Sequence, residues 1–331
     1  KIGGQDEKNA KMIEVQDLVK RYGGYLAVDH LSFSAEKGQI YGFLGPNGAG
    51  KSTTMNIMTG CLAPTSGTVI VDGMDLQQEP EKVKQRIGYL PELPPLYPEM
   101  TVREYLTFAA KLKKVPRLEQ LQQVVQAMSK TGLLEEQDHL IRTLSKGYRQ
   151  RVGLAATLLG NPDVVILDEP TVGLDPRQIL EIRDLIRSLR EEHVVILSSH
   201  ILSEVSAVCD YIFILSHGKL VASDTPENLE AQLHAGGALC ASVRATPEEM
   251  RTLCSTMLPG IPVEISAGAR AGQTELRFGA VDDRVTEDFF YACAEAKNPI
   301  LKLEREKASL EEIFLELTDD HTDAELVLER E

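Results

Sequence analysis

What this chain lacks narrows it first. No stretch approaches the roughly 18 uninterrupted apolar residues of a membrane-spanning helix. Basic residues are in deficit, 35 against 50 acidic for a net charge of −15. That balance argues against a broad surface for nucleic acid or anionic lipid, while leaving docking onto a membrane protein open. The acid excess is uneven: residues 233–331 hold 20 acidic and 10 basic side chains, read as a solvated face. Cysteine is sparse, with Cys61, Cys209, Cys240, Cys254 and Cys293 scattered, odd in number and without a C-x-x-C pair. This argues against a metal site and fits buried or idle thiols in a reducing cytosol. Internal repeats and low-complexity segments are also missing. The first eleven residues are polar and charged, without a signal-peptide pattern, and are read as a leader, 1–11.

What is present is ordinary globular composition, 43% hydrophobic and 26% charged over 331 residues, enough for two domains. Residues 12 to about 232 alternate short apolar strands with amphipathic helices. Strands are expected at Met12–Val15, Ile40–Leu44, Thr68–Val71, Val164–Asp168, Val194–Leu197 and Ile212–Leu215. Ile179, Ile182, Leu185, Ile186 and Leu189 form a helical stripe after the N-cap Asp175 and Pro176. The alternation predicts an α/β domain around a largely parallel sheet. Residues 92 to about 160 read as mostly helical, a separate lobe in which Thr101 and Glu104 form a capping box. Ala235-Gly236-Gly237-Ala238 marks a boundary. Beyond it the pattern predicts strand 239–244, helix 247–258, strands 261–266 and 273–278, helix 282–296, strand 299–304 and helix 310–317. The last helix opens on a Ser309–Glu312 capping box. The β-α-β-β-α-β order matches a ferredoxin-like unit in a second, small α+β domain, 233–331.

The chemistry is concentrated in a few short segments. Gly45-Pro46-Asn47-Gly48-Ala49-Gly50-Lys51-Ser52-Thr53 fits G-x-x-x-x-G-K-[ST], between an apolar strand and a helix. Such a loop aims backbone N–H groups and a helix N-terminus at a polyphosphate. Gly48 and Gly50 let the backbone wrap an anion. Lys51 supplies a charge for the β- and γ-phosphates, and Ser52 a hydroxyl for Mg²⁺. Four apolar residues, 164–167, end in Asp168-Glu169. Beside a phosphate loop, Asp168 is placed to hold Mg²⁺ directly or through water, and Glu169 to activate or orient an attacking water. His200, in Ser198-Ser199-His200 at a strand end, is a candidate contact for the γ-phosphate. Ser145 looks like the N-cap of an apolar helix, with Gly147 opening its first turn. That is a second phosphate-binding device, superfluous for one nucleotide unless it serves another copy.

Together these motifs closely resemble the ATP-binding subunits of ABC transporters, in the family's order, over residues 12–232. Residues 45–53 look like Walker A, 164–169 like Walker B with its glutamate, 144–148 like the signature motif and 173–175 like the D-loop. His200 looks like the switch histidine. Tyr22 falls where the family stacks an aromatic on adenine. The sequence departs from the family at Glu92, where glutamine is usual, and in the signature at Lys146 and Tyr148. Glu92 is retained as a candidate for Mg²⁺ or its water, alongside Ser52 and Asp168. These variants and the ending Ser309–Thr318 are similar to the exporter branch with a C-terminal accessory domain.

The resemblance implies a P-loop NTPase fold of the ABC ATPase type with a helical subdomain. It implies ATP and Mg²⁺ as cofactors and hydrolysis driving a separate polytopic permease. The active form would be a dimer with a second copy or a homologous subunit, sandwiching two ATP between Walker A of one and Ser145 and Gly147 of the other. The location implied is the cytoplasmic face of a bacterial-type cell membrane, with no nucleic-acid partner. Leu93-Pro94-Pro95-Leu96-Tyr97 reads either as a docking surface for the permease or as a loop packed on its own lobe. The rival reading is a soluble, non-transport ABC ATPase. One cassette, strong negative charge and no sustained heptads weigh against it. A nucleotide-binding regulator without turnover is disfavoured by Asp168, Glu169 and His200, and a GTP-binding protein by the lack of Asn-Lys-x-Asp.

Overall fold

The computed structural model describes residues 11–229, 238–258, 261–268, 270, 272–280 and 283–305. The expected leader, but for its last residue, the glycines at 236–237 and the closing helix 310–317 lie outside the described residues. The chain divides into two compact units, Lys1–Pro226 and Glu227–Glu331.

The first unit holds two sheets. One is antiparallel, in the order β2-β1-β4-β5, from β1 (Lys11–Tyr22), β2 (Tyr25–Glu36), β4 (Ser66–Val71) and β5 (Met74–Asp75). The other runs β10-β9-β3-β8-β7-β6, from β3 (Ile40–Leu44), β6 (Ile87–Leu90), β7 (Val164–Leu167), β8 (Val194–Ser199), β9 (Tyr211–Ser216) and β10 (Lys219–Asp224). The pairings from β9 through β6 are parallel, and only β10 joins antiparallel. Strands β3, β7 and β8 are buried at every residue, which is why they read as unbroken apolar runs.

Helix α1 (Lys51–Met58) follows β3. It shares one core with both sheets, in which Ile13, Phe43, Met55, Ile57, Ile166 and Phe213 are buried. Phe33, Phe43 and Phe213 meet there at centroid distances of 5.0–5.1 Å. Helix α2 (Pro80–Arg86) precedes β6. The helical lobe is α3 (Val102–Leu112), α4 (Gln120–Lys130) and α5 (Lys146–Leu158), closed around its own core of Leu106, Met128, Ile141 and Val152 among others. Thr101 caps α3 with both hydrogen bonds of the box. Helices α6 (Pro176–Leu189) and α7 (Leu202–Ser206) complete the unit, α6 opening on the Asp175 cap. Among the described residues no helix is long and apolar enough to cross a membrane.

Strands β2, β5, β6 and β10 were not expected, and β1 is far longer than Met12–Val15. The β1–β2 pairing carries several register shifts, and Asp17 and His30 sit at positive φ. Those bulges break the period-2 pattern by which a strand is read. His30 Nδ1 lies 2.6 Å from Asp17 Oδ1 across this irregular stretch.

The second unit contains β11 (Ala238–Val243), α8 (Pro247–Met257), β12 (Val263–Ala267), β13 (Thr274–Ala280), α9 (Asp283–Glu295) and β14 (Ile300–Arg305). The sheet order is β12-β13-β11-β14, and all three pairings are antiparallel. Its core includes Val243, Met250, Cys254, Phe278 and Phe289, with the two phenyl rings 4.9 Å apart.

Candidate nucleotide site

The site forms where the parallel strands end. Between β3 and α1 the loop 45–50 turns back on itself, with Ala49 N–H donating to Pro46 O at 3.2 Å. Gly50 is the N-cap of α1 at φ 99°, with no side chain capping the helix. The first-turn N–H groups of α1 therefore have no intrahelical acceptor. A Cβ on Gly50 would stand 2.5 Å from Ala27 O, so glycine is required there by space as well as by φ. Gly48, at φ 86° with open space around it, is required by φ alone.

Lys51 is buried, and its Nζ donates to Gly45 O at 2.7 Å and Pro46 O at 3.2 Å. Burial holds its pKa below the usual lysine range, against the opposing pull of Glu169 and Asp168. A partly desolvated ammonium aimed along a loop of backbone donors is suited to an anion.

The carboxylates come from the end of β7. Asp168 Oδ1 accepts from Ser52 Oγ at 3.1 Å and from Ser198 Oγ at 2.6 Å. Glu169 sits at φ 48°, a left-handed backbone that costs a glutamate energy. Its N–H donates to Ser198 Oγ at 2.9 Å. Its carboxylate lies 3.8 Å from Lys51 Nζ on one side and 3.0–3.1 Å from His200 Nδ1 on the other.

A cavity of about 360 Å³ is lined by the loop from Pro46 to Thr53, apart from Ala49, together with Tyr22, Tyr25, Glu92, Glu169 and His200. Ala49 is buried behind the loop, and Gly45 reaches the site through its carbonyl on Lys51. Glu92, just beyond β6, is exposed and contributes to the lining. Ser145 and Gly147 do not line this cavity. Ser145 caps α5, its Oγ accepting from Tyr148 N–H at 3.3 Å, and is exposed.

Two residues escaped the sequence reading. Tyr25 pairs with Tyr22 across the β1–β2 turn, which places both rings on one face, and its O–H donates to Gly48 O at 3.2 Å. The Tyr22-Gly-Gly-Tyr25 hairpin pattern was the available signal. Ser198 bridges both carboxylate positions, and only its place beside Ser199 and His200 hinted at it.

A nucleoside triphosphate fits this donor set: backbone N–H groups, one buried cation and two tyrosine rings at the rim. Among the described residues no three His, Cys, Asp or Glu side chains cluster as a metal site. A cation here would take Ser52, Asp168 and phosphate oxygens, the hard-oxygen set suited to Mg²⁺.

Comparison with known proteins agrees with this chemistry. A family model described as "ABC transporter" matches residues 28–172. The chain is 39% identical over 222 residues to the probable multidrug ABC transporter ATP-binding protein YbhF of Escherichia coli. That match takes in 67% of this chain and 38% of YbhF, so the chain spans little more than a third of that relative. It is 41% identical to the bacitracin transport ATP-binding protein BcrA of Bacillus licheniformis, over 63% of this chain and 68% of that one. It is 31% identical to the linearmycin resistance ATP-binding protein LnrL of Bacillus subtilis, over 93% and 98%. Among solved structures, cbiO1 from Clostridium perfringens, part of the cbiONQ complex, aligns with TM-score 0.62 at 28% identity, over 75% of this chain and 96% of that one. The dimeric cassette MJ0796 aligns with TM-score 0.59 at 25% identity, over 65% and 98%.

Proposed function

Because this chain belongs to the ATP-binding proteins of ABC transporters, a family of ATPases, we propose that it is the ATP-hydrolysing subunit that powers a separate membrane permease. The observation carrying this reading is the convergence, at one cavity, of the uncapped start of α1, the Ser52–Asp168 pair and Glu169 held between Lys51 and His200. Lys51 and the loop N–H groups bind the phosphates, and Tyr22, with Tyr25 beside it, receives the base. Glu169 takes a proton from the attacking water, and His200 reports on the γ-phosphate. When bound, Mg²⁺ supplies charge neutralisation between the phosphates, next to Ser52, Asp168 and Glu92.

The start of α5 lies outside the lining of its own chain's cavity. This supports a closed pair in which Ser145 and Gly147 of one copy complete the site of another. ATP then closes the pair and hydrolysis reopens it, a ligand-driven two-state switch. Residues 93–97 of the helical lobe pass the motion to the permease, at the cytoplasmic face of the membrane. BcrA and LnrL are named for bacitracin transport and linearmycin resistance, which supports an exporter of antimicrobial compounds. Residues 12–232 are the ATP-binding domain and 233–331 an accessory domain.

The test is ATP turnover and gel filtration of Glu169→Gln. The expected result is loss of phosphate release with an ATP-dependent dimer retained. Undiminished release, or a monomer at saturating ATP, overturns the reading.

A further inference from the structure

Glu204 is a buried carboxylate that the chemistry above does not use. It lies in the first turn of α7 and is 8% exposed. Among the described residues its side-chain hydrogen-bond partners are two hydroxyls, not a cation: Thr171 Oγ1 donates to Oε2 at 2.5 Å and Ser199 Oγ at 3.4 Å. A desolvated carboxylate held this way is costly, so its place in the chain matters. Thr171 is two residues after Glu169, and Ser199 is the residue before His200. Ser199 Oγ also accepts the Ile201 N–H at 3.0 Å, so the residues on both sides of His200 are tied to the same network.

The two adjacent serines of β8 thus act on opposite sides of the glutamate. Ser198 takes the Glu169 N–H and donates to Asp168. Ser199, through Glu204, reaches Thr171 on the far side. Glu169 stands between these anchors in a left-handed backbone, a conformation that persists only where its surroundings over-determine it.

We propose that Glu204 is a positioning residue for hydrolysis: its carboxylate clasps the turn after Glu169 to the turn bearing His200, fixing the 3.0 Å approach of base and histidine. This rests on the reading of Glu169 as the base. The clasp works through acceptor geometry, so an amide oxygen at the same place serves nearly as well as a carboxylate.

The test uses the full chain, with Glu204→Ala, Glu204→Gln, Thr171→Val and the Glu204→Ala/Thr171→Val double variant. Steady-state kcat and KM for MgATP, fluorescent-nucleotide affinity and the thermal midpoint are measured for each. Glu204→Ala and Thr171→Val should each lower kcat roughly tenfold to a hundredfold, the cost of misplacing a reacting group by about 1 Å. KM and nucleotide affinity should stay within about twofold, since the phosphate loop is untouched. Glu204→Gln should recover kcat to within about threefold of wild type. The double variant should be no slower than the slower single, because both remove one contact. If Glu204→Ala does not fold, Thr171→Val, which leaves α7 intact, decides the matter. Wild-type kcat in Thr171→Val, a loss of nucleotide affinity that matches the loss of kcat, or a Glu204→Gln enzyme as slow as Glu204→Ala overturns the proposal. Glu169→Gln run in parallel separates the two readings. Turnover surviving in Glu169→Gln removes the base itself, whereas its loss beside fully active Thr171→Val removes only the clasp.

Discussion

The two units bury polarity differently. In the first, Lys51, Asp168, Glu169, Ser198, Ser199 and Glu204 are all buried and gather where β3, β7 and β8 end. In the second, the buried polar residues among those described are Ser242 and Thr274. Each is used up locally: Thr274 Oγ1 donates to Ala245 O at 2.7 Å, and Ser242 Oγ accepts from Gln273 Nε2 at 2.5 Å. Burying charge is expensive, and a protein does so where the charge has work. A parallel sheet with all its strand ends on one edge collects such groups. A small antiparallel sheet that packs its apolar face on two helices does not.

The largest expected effect tests the charged side of that contrast. Glu169→Gln keeps size and hydrogen-bonding shape but removes the proposed base, so turnover should fall by about two to four powers of ten in a phosphate-release assay. Lys51 and His200 would then flank a neutral amide, and nucleotide affinity should be retained. A comparable loss from any substitution confined to 238–305 would break the comparison.

Next in size is the apolar side. Phe289 is fully buried against Phe278, and Phe289→Ala should cost about 3–5 kcal/mol. Hydrogen exchange would locate the damage: amides of Leu239, Ala241 and Phe278 should exchange faster, while those of Phe43 and Ile166 should hold. Acceleration spread evenly over both units would show that they do not store stability separately.

How much of this was legible in the sequence follows the same division. The phosphate loop, Asp168 and Glu169 are contiguous and stand on strands buried on both faces, so motif and apolar run reinforced each other. Helices α3 and α6 announced themselves by caps. The β1–β2 hairpin was hidden because Asp17 and His30 interrupt its alternation. Strand β10 was hidden because none of its residues is fully buried. In and behind the site, Ser198, Tyr25 and Glu204 were harder to read for a different reason. Their roles exist only through contacts with Asp168, Gly48 and Thr171, partners 23 to 33 residues away in the chain. A serine at a strand end carries no sign of which carboxylate it will meet.

Lys113 in the first unit and the buried thiols of Cys254 and Cys293 in the second should contribute to stability in alkali with opposite signs. Lys113 donates to Thr157 O at 2.7 Å and Leu159 O at 3.0 Å at the end of α5, and burial pushes its pKa down to about 8. Between that value and the ordinary lysine range the unfolded chain holds a proton the folded chain has lost. The contribution of Lys113 to stability then rises with pH, by at most about 1.4 kcal/mol per pH unit. In the second unit, burial pushes the thiols of Cys254 and Cys293 up to about 11. There the folded chain holds protons the unfolded chain loses from about pH 8.5 upward, so stability falls. Urea unfolding at pH 8 and 9.5 should give a wild-type minus Lys113→Met difference that grows with pH. The wild-type minus Cys254→Ala difference should shrink. Equal slopes would remove the contrast.

The smallest effect gives the sharpest comparison, because both units carry the same device. Thr101 and Glu104 cap α3 reciprocally, at 3.2 Å from Glu104 N–H to Thr101 Oγ1 and 2.9 Å from Thr101 N–H to the Glu104 carboxylate. Thr246 and Glu249 cap α8 in the same way, at 3.3 and 2.8 Å. Thr101→Ala and Thr246→Ala should each cost about 1 kcal/mol of stability. Around α8 the backbone N–H of Thr246 holds the Glu249 carboxyl below its ordinary range. That contribution is present above the ordinary glutamate pKa and fades as pH drops through the lowered one. Alanine at 246 keeps that backbone N–H, so it is the deficit of Glu249→Ala that should shrink in acid. Function should separate the two variants. Helix α3 packs in one core with α5, which carries Ser145 and Gly147 at its start, so fraying α3 should loosen the element proposed to meet the second copy. Thr101→Ala should lower the apparent ATP affinity for dimerisation in gel filtration about two- to threefold, whereas Thr246→Ala should leave it unchanged. Identical dimerisation curves for the two variants would mean that the lobe's internal order does not reach the signature helix, and that the division of labour between the units is less sharp than their buried charges suggest.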